Sequence, residues 1–476
     1  MCLNVFLKIH NEWLLYNIMK GLFIFHRDFR IIDNKGLIEA SKQCDELYTC
    51  FIFTTTQVTN NTYKSKNSIQ FMIESLEDLR NDIKGENGKL MIFYGNNVSC
   101  VENVMEELKI DKLFFNEDYT PYAKIRITQM ENLCKKLDVD IEYFHDYYIN
   151  EPGTMTTSSG DVYKKFTPFY EKTITNNDFD VPSSYKIGNF SKTARKLKYA
   201  TTLTNAMVSY VGEQNTDIMV HGGRENGLST LKTALINMKK YAETRDDLSN
   251  ETSMLSAYIK YGCISIREVT MKFKQKYGKH CEFIRQLIWR DFYMHLLNKY
   301  PESLNNLHRN NMKSITWNTN NEQLRLWKNG TTGFPLVDAG MRQLNKTGYM
   351  HNRCRMIVAT FLSKILFLDW REGEKYFAQQ LVDYDVASNS GNWQAVVGGG
   401  LYAMPYFRVL SPWTQSDKND HDCEYIKKWV PELKDVENKH IHKWYKYYKK
   451  NNNVDYPKPM VDFDKQLEKY LDKMKN

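Results

Sequence analysis

Gly21-Leu22-Phe23-Ile24-Phe25, followed at once by His26-Arg27-Asp28-Phe29-Arg30, decides the reading of the first third of this chain. An uncharged run of this length is what a strand buried on both faces looks like. Four more such runs follow: Tyr48 to Phe53, Leu90 to Tyr94, Lys112 to Phe115 and Ile141 to Phe144. The gaps of 17 to 36 residues between them leave room for crossover helices. In one gap Phe71, Ile73, Leu76, Leu79 and Ile83 have the spacing of an amphipathic helix. This alternation predicts a parallel sheet covered on both faces. The turn after the first run contains no GxGxxG, which disfavours a standard dinucleotide site there.

Outward from that sheet the pattern changes twice. From about Asn150 to Val220, Thr, Ser, Asn and Lys dominate, and the segment reads as a long connector over the surface. From Gly222 the periodicity is helical almost to the end, and no repeat of 20 to 50 residues is visible. The expectation is an α/β unit over 19–150, a connector over 151–220 and a large all-α domain over 221–476. Met19 precedes the first strand, so the leading segment reads as a dispensable extension or an upstream start.

Composition limits the function classes. The chain has 476 residues, 42% hydrophobic and 26% charged, which is enough to bury sizeable cores. Lys and Arg number 65 against 57 Asp and Glu, a net +8 that leans mildly toward polyanions. Nine cysteines are scattered without a CxxC pair, which argues against a disulfide framework or a Cys-rich zinc site and for a reducing, intracellular compartment. No apolar run reaches the length of a membrane helix, so a soluble protein is expected.

The helical half carries the chemistry. Thr252-Ser253-Met254-Leu255-Ser256 opens an apolar run, where hydroxyls can cap a helix and free N–H groups can hold a phosphate. Phe283 to Tyr293 (FIRQLIWRDFY) puts Gln286, Arg290 and Tyr293 near one another on one helix face, beside Trp289. Asn352 and Met356, four apart, pair an amide with a polarizable thioether. His351 has no second ligand or nucleophile beside it and reads as structural. Val382 to Gln394 (VDYDVASNSGNWQ) offers Asp385 as an acceptor for a ring N–H and Asp383 as a partner for Arg355. In the tail, Lys439 to Lys450 interleaves lysines with Trp444, Tyr445, Tyr447 and Tyr448, a solvated surface or a nucleic-acid contact.

These segments resemble the photolyase/cryptochrome family. The likeness rests on WRDFY at 289–293, TGFPLVDAGMRQL at 332–344, MHNRCRM at 350–356, DWREGEKYF at 369–377, VDYDVASNSGNWQ at 382–394 and PYFRVLSP at 405–412. FHRDFRIIDN at 25–34, NEDYTPYAKIR at 116–126 and YKKFTPFY at 163–170 extend it into the first domain. The resemblance covers 19 to about 433 and implies a Rossmann-like α/β domain followed by a helical FAD-binding domain. It is closest to class I cyclobutane pyrimidine dimer photolyases.

By that resemblance, Tyr241, Thr252, Ser253, Leu255, Ser256 and Arg290 face the phosphates and ribityl chain of FAD. Asn352, Asp383, Asp385 and Asn389 surround the rings, with Asn389 beside flavin N5, and Phe283 stands on the adenine side. Trp393, Trp370 and Trp317 fall where the family keeps its tryptophan chain from flavin to surface. The implied activity is blue-light electron transfer from reduced FAD to a pyrimidine dimer flipped out of DNA. Arg245, Arg353, Arg408 and Gln415 match the DNA side, and Trp289, Gln286 and Met356 the lesion. UV-damaged DNA is the partner, the protein acts as a monomer, no metal is implied, and the first domain offers an antenna chromophore site of unspecified occupant.

Departures from the family pattern bear on the substrate. Relatives acting on the (6-4) photoproduct carry histidines at the positions of Asn352 and Met356, so the cyclobutane dimer is the expected lesion. A second stacking Trp expected after Trp393 is Ala395, a loss of about 1–3 kcal/mol of base stacking. The Glu that usually contacts the dimer is Gln286. Tyr384, Ser388 and Ser390 resemble DASH-type cryptochromes, some of which act on single strands. The alternatives are a cryptochrome-type light sensor without strong duplex repair and a plain flavoprotein electron carrier.

Overall fold

A computed structural model describes residues 18–192, 195–250, 252–308, 312, 315–450 and 453–475. The reading of the leading segment as an extension concerns residues 1–18, of which 1–17 lie outside the described residues.

Each apolar run forms a strand: β1 (Lys20–Ile24), β2 (Glu46–Thr54), β3 (Leu90–Gly95), β4 (Lys112–Asn116) and β5 (Asp140–Phe144). All neighbours pair in parallel, in the order β3-β2-β1-β4-β5. Alternate side chains then feed two cores, as the two-residue period requires. Leu22, Ile24, Cys50 and Ile52 face the helices Asn97–Leu108 and Pro121–Leu137. Phe23, Phe51 and Phe53 face the helices Lys35–Gln43 and Lys66–Gly85, and this core continues into Tyr258, Ile284 and Phe292 of the second domain. The core on this face of the sheet is therefore continuous with that of the helical domain.

Strand order reverses at β1, so a crevice opens beyond the carboxyl ends of β1 and β4, the usual ligand position in such sheets. The 25–34 segment fills and locks it. Asn116 donates to Asp28 Oδ2 at 2.6 Å and to Asn34 Oδ1 at 2.7 Å, and Asn34 caps the next helix through the Leu37 N–H. Arg30 donates to Asp146 Oδ2 at 2.5 Å, and Arg267 of the helical domain donates to Asp146 Oδ1 at 2.6 Å and Asp33 Oδ2 at 2.9 Å. Burial would raise the Asp146 carboxyl, but the two guanidiniums outweigh it and hold it far below the ordinary range. Buried ion pairs of this kind add little net stability and much geometric specificity. They fix how the two domains meet.

The connector departs from its reading as a surface segment. It holds the helix Phe166–Asn176, with Phe166 and Phe169 buried, and its Phe190 and Ala200 bridge to Leu47 and Phe93 at the sheet. Its apolar residues lack a regular period, which hides them from pattern reading.

The second domain stacks the helices Pro335–Thr347, Asn352–Thr360, Trp370–Gln380 and Val386–Val397 around a core rich in Leu, Ile and Trp, while the helix Glu282–Lys299 packs into the core shared with the sheet. A 13-residue helix, Phe463–Lys475, closes the chain against Phe361–Ile365. In the basic tail Trp444 is buried and donates its indole N–H to Pro457 O at 2.8 Å, so it belongs to the core while Tyr445 is exposed. Among the described residues no helix is long and apolar enough to cross a membrane, and no group of His, Cys, Asp and Glu is arranged to hold a metal.

Candidate active site

The Thr252–Ser256 loop is not the cap its hydroxyls predict. The helix it precedes is only five residues, Ser256–Lys260, and its cap, Leu255, makes no side-chain capping bond. The hydroxyls reach outward instead. Ser256 Oγ donates to Asp383 Oδ2 at 2.7 Å, and Thr252 Oγ1 lies 2.8 Å from the Tyr349 hydroxyl. Met254 holds φ at 53°, a left-handed conformation that a non-glycine residue keeps only when its surroundings enforce it. Asp383 is also held by Arg355, which donates at 3.0 Å. Its other oxygen, Oδ1, is buried with no hydrogen-bond partner.

Arg290 and Asp385 meet the crevice of the first domain. Arg290 donates to Tyr147 O at 2.7 Å and lies 4.3 Å over the Tyr148 ring, while its Nη2 is buried without a partner. Asp385 caps the Val386–Val397 helix through the Ser388 N–H and receives Arg27 at 3.4 Å from across the domain boundary. Burial would raise its carboxyl; Arg290 and Arg27 outweigh that and keep it below the ordinary value. Tyr241 packs edge-on to Phe283, ring centroids 5.9 Å apart, and burial pushes its phenol up to about 12.

Asn352 Nδ2 lies 4.0 Å from Met356 Sδ, as the four-residue spacing predicts. His351 is structural: its ring accepts from the Arg353 N–H, and burial lowers it to about 4. Arg353 is ion-paired with Asp246, and Arg245 donates to Glu282 Oε1 at 2.5 Å. Gln286 donates to the same oxygen at 2.6 Å. Trp289 stacks flat on Phe166 at 3.6 Å. Arg408 is exposed, and Gln415 accepts from Asn419 at 3.1 Å. Ala395 is buried, with Met404 N–H donating to its carbonyl.

Asn389 has a partner that pattern reading missed. Its amide donates to Glu374 Oε1 at 2.9 Å, and Tyr384 donates to the same oxygen at 3.2 Å. Glu374 sits in the buried stripe of its helix with Trp370, Gly373, Phe377 and Ala378. A lone acid at a stripe position was the available signal. Trp393 packs on the Cα of Gly373, one turn from Trp370, and both indoles are buried. Trp317 is half-buried, beside Asn318, which bridges to Leu368 two residues before Trp370. Trp370 and Trp393 are thus interior, and Trp317 lies nearer the surface of the helical domain. Trp327, fully buried and 6.3 Å from the Trp393 ring, was not singled out by the sequence.

The donor set suits the FAD that the motifs imply. The unpartnered N–H of Arg290 matches a phosphate oxygen, and the unpartnered Asp383 oxygen matches a ring N–H.

Known proteins match this chain over most of its length. The family pattern described as DNA photolyase matches residues 22–183, and that described as the FAD binding domain of DNA photolyase matches 283–476. The second match runs to the last residue, beyond the limit near 433 expected from the motifs. The deoxyribodipyrimidine photo-lyase of Buchnera aphidicola subsp. Baizongia pistaciae is 34% identical over 93% of this chain and 95% of its own length. An archaeal photolyase from Sulfolobus tokodaii, solved with two FAD molecules, superposes with a TM-score of 0.85 at 35% identity, covering 96% of this chain and all of that one. A class III photolyase from Agrobacterium tumefaciens superposes at 0.89 with 29% identity, over 96% of this chain and 97% of that one.

Proposed function

This chain belongs to the DNA photolyase family, and from that premise we propose that it is a light-driven DNA-repair lyase that splits cyclobutane pyrimidine dimers. It is a flavoprotein, and the cofactor supplies, when bound and reduced, a photoexcited electron donor to the lesion. Ser256, Asp383 and Arg355 form one hydrogen-bonded unit that orients the cofactor, with Asp383 Oδ1 free to accept from it. Arg290 offers its free Nη2 to a phosphate. Asn389, its amide nitrogen committed to Glu374, keeps its carbonyl oxygen as an acceptor.

Arg245 and Arg353 exchange Glu282 and Asp246 for DNA phosphates, with the release of DNA counterions driving the exchange. Flipping the dimer costs a few kcal/mol, less at a poorly stacked site. Trp289 gives the flipped bases an aromatic wall, and Gln286 an amide N–H for a pyrimidine carbonyl. Trp393, Trp370 and Trp317 carry electrons inward from the surface to restore the reduced cofactor.

The observation that carries the lesion assignment is the Asn352–Met356 pair, which puts an amide and a thioether, and no imidazole, on the lesion-facing helix. The test is blue illumination of a dimer-containing oligonucleotide with the reduced full-length protein, single- and double-stranded in parallel. Recovery of thymine absorbance is expected in at least one form. Retained flavin with no recovery in either would favour a light sensor instead.

A further inference from the structure

A cleft of about 780 Å³ lies outside the proposed cofactor and DNA sites, between the Phe463–Lys475 helix and the segments that flank Trp317. Its size is that of a small-molecule site. Its walls are amides and cations: Asn318, Asn320 and Gln323 on one side, Lys469 and Lys473 on the other, with no acidic residue lining it. Neither lysine forms an ion pair among the described residues. Lys469 and Lys473 are four apart and project from one helix face.

The floor of the cleft is aromatic and strained. Phe367 lines it with φ at 54°, directly after the π-helical turn Phe361–Ile365. Left-handed non-glycine residues and π turns both cost energy and cluster at functional sites. The strain has a visible consequence, because it turns Phe367 against the Trp317 ring, centroids 5.0 Å apart. The Phe367 carbonyl and that of Leu366 hold Asn318 through its N–H and side-chain amide, at 2.8 and 2.9 Å. Lys473 Nζ stands 4.1 Å above the same Phe367 ring, so a molecule bound at the lysines sits one ring away from Trp317.

We propose that this cleft binds a small anionic one-electron donor of the enediolate class and delivers its electron to Trp317. The inference rests on the reading of Trp317 as the outer end of the tryptophan chain. In the step, the Trp317 indole cation radical takes one electron from the donor monoanion. The donor's remaining enediol proton passes to water, the indole returns to its neutral form, and the donor leaves as its radical anion. Charge and electrons balance, and the cationic walls favour the incoming anion.

The probe is ascorbate, with the neutral thiol 2-mercaptoethanol as control, on the full-length flavin-loaded protein. Laser-flash decay of the tryptophan radical is expected to saturate with ascorbate and to stay linear with the thiol. The double variant Lys469→Glu/Lys473→Glu is expected to slow the ascorbate reaction about fivefold to tenfold at low salt, with the glutamine pair intermediate. Its thiol reaction and its dimer splitting from pre-reduced protein stay within about twofold. A linear ascorbate dependence, or equal rates in wild type and variants, overturns the proposal. If no tryptophan radical forms, the chain reading fails, and binding in the dark still decides the site: saturation-transfer NMR of ascorbate is expected with wild type and lost in the double variant, and its persistence there overturns the site.

Discussion

The side-chain amide of Asn389 donates to Glu374 twice, at 2.9 Å to the carboxyl and at 3.2 Å to the backbone carbonyl. With the nitrogen committed, the amide oxygen is the group left to accept from a protonated ring nitrogen. Burial raises the Glu374 carboxyl above its ordinary value, against the opposing hydrogen bonds from Asn389, Tyr384 and Tyr63. Glu374→Ala frees the amide to rotate, and reduced FAD in that variant is expected to reoxidise in air about fivefold to tenfold faster, the worth of one hydrogen bond. Asn389→Cys removes the acceptor itself and is expected to lose the reduced form at least as fast. Unchanged reoxidation kinetics in both would refute the role.

Gln286 shares Glu282 with Arg245. As an amide it donates to a pyrimidine carbonyl at any pH. Gln286→Glu can do so only when protonated, and as a carboxylate it competes with Glu282 for Arg245. Dimer binding by that variant is expected to weaken about fivefold as pH rises from about 4 to about 6, while wild type stays flat. Filter binding to a dimer-containing oligonucleotide across that range decides it.

What the sequence discloses and what it hides divide along physical lines. The five strands are legible because doubly buried strands are continuous apolar runs, and the Asn352–Met356 contact because helical spacing brings it about. The Asp383–Arg355 pair was readable as opposite charges within one set of motifs. Sequence alone hides which side chains meet across the domain boundary: nothing in the spacing tells that Arg27 reaches Asp385, or that Arg30 and Arg267 share Asp146. The hydroxyls at 252–256 look like caps because any Ser or Thr before an apolar run does. The fold sends them to Tyr349 and Asp383 instead.

Trp317, the outer member of the proposed relay, lies half-buried in contact with Phe367. Trp317→Phe removes an oxidisable ring and keeps the shape. Photoreduction of oxidised FAD is expected to slow on the order of tenfold or more, a barrier change of about 1.4 kcal/mol or more. Dimer splitting by pre-reduced protein should survive. Equal loss of both would contradict the relay.

Ala395 occupies the place where a second stacking Trp was expected, and it is buried under the 398–404 segment, whose Met404 N–H donates to the Ala395 carbonyl at 3.0 Å. An indole there has no room. Ala395→Trp is expected to cost about 1–3 kcal/mol of stability through overpacking and to bring no gain in dimer affinity. A urea titration and a binding titration on the same variant check both halves.

Asp291 is buried between the domains, where it accepts from the Asn150 N–H at 2.8 Å and leaves Oδ1 unpartnered. Burial pushes its carboxyl up to about 7, against the lowering effect of the Asn150 N–H and of Arg290. In the unfolded chain the same group titrates near 3.9. Between those values the unfolded state releases a proton that the folded state keeps, so this carboxyl's contribution to stability falls as pH rises from about 4 to about 7, by up to about 1.4 kcal/mol per pH unit. Asp291→Asn keeps a carbonyl oxygen for Asn150 and removes the titration. Its stability relative to wild type is expected to rise across that window and level off above it. Urea midpoints of the two proteins at pH 4.5, 6 and 8 test this: a difference that does not change with pH would mean that Asp291 ionises at its ordinary value.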